Sequence, residues 1–86
     1  MKGYASKELI RDVEHVKEFL DVTEFQCIAT YVNAGGTIST EIVTRKTANG
    51  ISSYANRMFA KYGENVNVKV VYLYRGIQVS LTTFSA

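Results

Sequence analysis

Apolar positions recur along this chain with two different periods, and the switches between the periods divide it into segments. Residues 6–21, SKELIRDVEHVKEFLD, place Leu9, Val13, Val16 and Leu20 three or four apart, with Ile10 and Phe19 beside them and charges elsewhere. That spacing gathers one apolar stripe on a helix and predicts packing by a single face. Ser6 suits the start of this helix, because its hydroxyl can accept a bond from a first-turn amide that has no partner within the helix. Glu8 lies at the positive end of the helix dipole.

Residues 24–46, EFQCIATYVNAGGTISTEIVTRK, change to a period of two. Phe25, Cys27, Ala29 and Tyr31 alternate with Gln26, Ile28, Thr30 and Val32. Beyond Asn33-Ala34-Gly35-Gly36, Ile38, Thr40 and Ile42 alternate with Ser39, Glu41 and Val43. β-Branched residues at this period, split by an Asn/Gly cluster, predict a hairpin. Closure symmetric about Ala34-Gly35 sets Tyr31 opposite Ile38, Ala29 opposite Thr40 and Cys27 opposite Ile42, which gathers one apolar face.

Helical spacing returns in residues 47–65, where Ile51, Tyr54, Ala55, Met58, Phe59 and Tyr62 share a stripe. Thr47 or Asn49 can cap its start, and Gly63 stands where a left-handed residue closes a helix. Residues 66–84, VNVKVVYLYRGIQVSLTTF, then read as a second hairpin about Arg75-Gly76. Its pairs are Tyr74 with Ile77, Tyr72 with Val79 and Val70 with Leu81. A two-residue turn of this kind needs positive φ at Arg75, a strained choice beside asparagine.

The resulting order, αββαββ, predicts a single domain over residues 1–86 in the α+β class. The economical form is a two-layer sandwich: a four-stranded antiparallel sheet with both helices on one face. Phe25, Tyr31, Ile42, Val70, Tyr72, Val79 and Leu81 then face the helices. The reverse face is left with Ile28, Val32, Val43, Val71, Leu73 and Phe84, mixed with polar residues such as Gln26, Thr30, Glu41 and Lys69. Apolar exposure on that scale, rimmed by polar groups, marks these six as an expected association interface, with a second copy of the chain as first occupant.

Composition narrows the class without naming a chemistry. A content of 47% hydrophobic and 21% charged residues is that of a globular chain and argues against disorder. No apolar run approaches the roughly 18 residues of a membrane span, and the opening MKGYASKELIRDVEH lacks a secretory hydrophobic core. The single cysteine excludes an internal disulfide and fits a reducing compartment, so a cytoplasmic, membrane-free protein is expected. Net charge is only +2, but it is unevenly spread. Through Glu24 there are four basic and six acidic residues; from Phe25 onward there are six basic and two acidic. Pairing within the fold or between subunits accounts for that asymmetry more simply than a polyanion does.

Candidate chemistry is sparse. His15 stands alone on the charged side of the first helix, and one histidine with one cysteine cannot make a metal set. Cys27 alternates with inward residues and reads as a small core hydrophobe. The Asn33–Gly36 cluster opens a strand instead of a helix, unlike a phosphate-binding loop, while Asn49-Gly50 reads as part of a helix cap. No catalytic residue, metal site or cofactor is therefore expected. Arg45, Lys46, Lys69 and Arg75, near Tyr72 and Tyr74, raise nucleic-acid binding as the alternative, weakened because both tyrosines fall on the most apolar face. The favoured expectation is a small non-catalytic interaction protein. It would homo-oligomerise through its sheet and bind or inhibit a protein partner, in the manner of modulators carried by phages and mobile elements.

Overall fold

The computed structural model describes residues 7–85, and the Ser6 cap lies outside them. The elements are α1 (Lys7–Leu20), β1 (Phe25–Val32), β2 (Ile38–Arg45), α2 (Ala48–Tyr62), a short 3-10 turn (Gly63–Asn65), β3 (Val66–Tyr74) and β4 (Ile77–Ser85). The chain is an α+β fold in the predicted order. α1 buries Leu9, Val13 and Val16, three residues of the predicted stripe. Asp21, just past its end, takes φ 56°, a left-handed conformation that a short polar side chain tolerates. Thr47 is the cap of α2: its Oγ1 accepts the Gly50 N–H at 3.0 Å. Gly63 ends the helix at φ 63°, with its N–H donating to the Phe59 carbonyl. The Arg75-Gly76 turn has φ 54° and 78°, so Arg75 does adopt the strained left-handed conformation.

The four strands form one antiparallel sheet in the order β2-β1-β3-β4. Each half of the chain contributes a helix and a hairpin, and the hairpins meet along β1 and β3, where Cys27 pairs with Val70 and Ala29 with Val68. One face of the sheet carries Phe25, Cys27, Ala29, Val66, Val68, Val70, Tyr72 and Phe84. These cluster with Leu9, Val13 and Val16 of α1 and with Ile51, Tyr54, Ala55, Met58 and Phe59 of α2. Both helices thus contribute to one core on one side of the sheet.

Two one-residue departures from the expected pairing decide which side chains reach the other side. In the first hairpin Val32 pairs with Ile38 and Ile28 with Ile42, while Tyr31 pairs with Ser39 and Cys27 with Val43. The loop is one residue longer than a symmetric closure on Ala34-Gly35 provides, because Asn33 organises it. The Asn33 Oδ1 accepts from Gly35 N–H at 3.0 Å and Thr37 N–H at 3.2 Å, and its Nδ2 donates to Ser39 Oγ at 3.1 Å. Gly36 supplies the positive φ of 80° that completes the turn. A shift of one residue exchanges the two faces of a strand. Val43 therefore lies on the core side, partly buried, and Ile42 lies on the outer face, the reverse of the expectation.

The second departure is a β-bulge. Val71 pairs with Ser80 but Val70 pairs with Thr82, so Leu81 is an extra residue in β4 instead of the partner of Val70. Beyond the bulge every side chain changes face. Phe84, opposite Val68, therefore enters the core at 8% exposure instead of lying outside it. Val71 keeps its outward parity but is only 1% exposed, a short side chain in an inner strand flanked by Gln26 and the bulged part of β4.

Candidate interaction surface

The strand pattern places four aliphatic side chains together on the outer face of the first hairpin. Val32 faces Ile38 and Ile28 faces Ile42, with Thr30 and Thr40 between the two pairs. The Asn33 N–H donates to the Thr37 carbonyl at 2.9 Å, closing a hydrogen-bonded pair at the end of the ladder. Alternation from that point makes Val32–Ile38, Thr30–Thr40 and Ile28–Ile42 the pairs that exchange no bonds, in which side chains approach most closely. Ile38 and Ile42 are nevertheless 71% and 59% exposed, because β2 is an edge strand with no strand beyond it among the described residues.

Of the six residues expected at an interface, the structure brings Ile28 and Val32 into this cluster. Leu73 is exposed at 58%, but on β3 toward the Arg75-Gly76 turn, away from the isoleucines. It borders a cleft of ≈ 440 Å³ formed with Leu20, Asp21, Glu24, Tyr72 and Arg75. Val71 and Phe84 are buried and Val43 lies on the core side, so none of the three joins the outer cluster. Ile38 and Ile42, the two most exposed members of the cluster, fall on the core face in a symmetric closure and on the outer face in the structure. The signal that could have found them is Asn33, whose side chain is able to hold a longer loop.

On the core side, the same edge is built around Tyr54 of α2. Its hydroxyl donates to Glu41 Oε2 at 2.6 Å, and the guanidinium groups of Arg45 and Arg57 lie 5.4 and 5.6 Å from its ring centroid. Burial, reinforced by the hydrogen bond to the Glu41 carboxylate, pushes the Tyr54 phenol well above its ordinary ionisation range. Tyr31 stacks on Tyr62 with centroids 4.2 Å apart, and Lys61 lies over Tyr62. Tyr54 thus ties α2 to the underside of the β2 edge through Glu41 and Arg45.

The other candidate groups are dispersed. His15 is exposed on α1, its ring 4.7 Å from that of Phe19. Cys27 is fully buried, and burial pushes its thiol up to about 11, which keeps it protonated at neutral pH. Among the described residues, no group of His, Cys, Asp and Glu is placed to hold a metal ion, and no helix is long and apolar enough to cross a membrane. Arg45 lies on the core side over Tyr54, Lys69 points from the outer face, and Arg75 sits in a turn over Tyr74. The Lys46 carbonyl accepts a bond from Lys17 Nζ at 2.8 Å. Arg45 and Lys69 therefore point from opposite faces of the sheet. Comparison with protein-family models, curated proteins and solved structures finds no match to the chain.

Proposed function

We propose that the chain is a non-catalytic interaction protein that self-associates through its sheet and acts by binding or blocking another protein. The observation that carries this reading is the aliphatic cluster on the outer face of the first hairpin, where exposed Ile38 and Ile42 of the edge strand β2 lie beside exposed Val32 and half-buried Ile28 of β1. A small domain can place so much aliphatic surface outward at little risk only when something covers it. Support also comes from the groups that could have done chemistry: the one cysteine is buried with its proton held, and the one histidine stands on a solvated helix.

Sedimentation velocity tests the reading directly. Wild type is expected to sediment as a dimer or larger at tens of micromolar, and Ile38→Asp with Ile42→Asp as a folded monomer. Both positions are solvent-exposed, so the double variant leaves the core intact. A monomeric wild type at that concentration would refute self-association.

A further inference from the structure

The two sheet edges are not equivalent. β4 carries a bulge at Leu81, a device that bends an edge away from intruding strands. β2, Ile38–Arg45, has no register shift against β1, no proline and no lysine, and its two charged side chains, Glu41 and Arg45, both lie on the core side. Because Ile38, Thr40 and Ile42 exchange no bonds with β1, their N–H and C=O groups point off the free edge. That is a regular, unpaired template for another strand.

Resting on the reading that the chain self-associates, we infer that β2 pairs antiparallel with β2 of a second copy about a two-fold axis through Thr40, joining two sheets into one of eight strands. The residues of β2 are complementary to themselves in this register. Ile38 meets the partner's Ile42 and Ile42 the partner's Ile38, so two apolar rows run unbroken across the seam: Ile28, Ile42, then the partner's Ile38 and the partner's Val32, and their symmetry mates. Thr40 faces the partner's Thr40, and their backbones exchange two hydrogen bonds. On the core side Glu41 meets the partner's Ser39. The Ser39 Oγ already accepts from Asn33 Nδ2, which leaves its hydroxyl proton free to donate to the second Glu41 carboxylate oxygen. Neighbouring registers lose this fit. An axis through Glu41 opposes two carboxylates, and an axis through Ile42 sets Ile38 against the partner's Lys46.

Oxidative cross-linking of single-cysteine additions fixes the register. In the inferred dimer the two copies of residue 40 have Cα atoms about 5.5 Å apart, within disulfide reach, whereas residue 30 lies three strand spacings, about 14 Å, from its mate. Thr40→Cys is expected to give a covalent dimer, and Thr30→Cys and the wild type, whose Cys27 is buried, to give none. As a second arm, Thr40→Pro removes an N–H that points off the edge and leaves the bonds to β1 intact. It is expected to weaken dimerisation roughly tenfold, since two bonds vanish per dimer, while circular dichroism shows the wild-type fold. If that variant fails to fold, Thr40→Lys on the same edge replaces it. A wild-type dimer that cross-links at Ile42→Cys but not Thr40→Cys would overturn the register, and one that cross-links at no β2 position would overturn edge pairing. Both outcomes leave self-association standing; only a monomeric wild type removes both.

Discussion

Replacing Phe84 by alanine separates the bulged register from the regular one. In the structure this ring is 8% exposed and belongs to the core, opposite Val68. Truncating a buried phenylalanine typically costs about 3–5 kcal/mol, and the low end applies here because a terminal edge strand can partly collapse onto the void. A chain of 86 residues has roughly 4–13 kcal/mol of total stability at about 0.05–0.15 kcal/mol per residue. A loss of about 3 kcal/mol, divided by a urea slope of about 2 kcal/mol per molar, lowers the denaturation midpoint by about 1.5 M. Thr83→Ala is the control, since Thr83 is exposed and points away from the core; it is expected to stay within about 0.5 kcal/mol of wild type. Equilibrium urea unfolding followed by far-ultraviolet circular dichroism measures both. A Phe84→Ala midpoint within about 0.3 M of wild type, with an unchanged slope, would place the ring outside the core and refute the bulge.

Three further outcomes follow from local chemistry. Thr47→Ala removes the acceptor for the Gly50 N–H and should destabilise the protein by about 1 kcal/mol in the same assay. Arg75→Asn relieves the left-handed strain of the second turn and should raise the midpoint by an amount equivalent to about 0.5–1 kcal/mol. Cys27 and Tyr54 both hold their protons longer in the folded chain than in the unfolded one. As pH rises past 9, the unfolded thiol and phenol therefore ionise first, the unfolded state binds fewer protons, and stability falls. Urea midpoints should decline between pH 9 and about 11, and less steeply in Cys27→Ala.

Both helices and all four strands are legible in the sequence because each is written in periodicity over eight or more residues, and the Arg75-Gly76 turn is legible from its residue types. The faces of β2 and of the end of β4 were not, because each depends on a single residue. Ile38, Ile42 and Val43 put aliphatic side chains at both parities of β2, so hydrophobic pattern alone cannot choose the register; Asn33 chooses it. In β4, Leu81, Thr82, Thr83 and Phe84 likewise alternate acceptably either way. The choice falls to the core, where Phe84 finds Val68 once Leu81 is left unpaired. The candidate surface inherits the first of these ambiguities: the alternation of β1 puts Ile28 and Val32 on the outer face, while a symmetric closure puts their partners Ile38 and Ile42 on the other.

The Asn33 turn also gives the protein an unusual evolutionary lever. Loss of one residue between Val32 and Ile38, with the five-residue loop kept, would pair Val32 with Ser39 and rotate the outward set of β2 from Ile38, Thr40 and Ile42 to Ser39, Glu41 and Val43, with no substitution in the strand. The proposed self-association surface could thus be gained or retired by a single-codon insertion or deletion. Relatives that differ in this loop by one residue are where a solitary form of the domain should be sought.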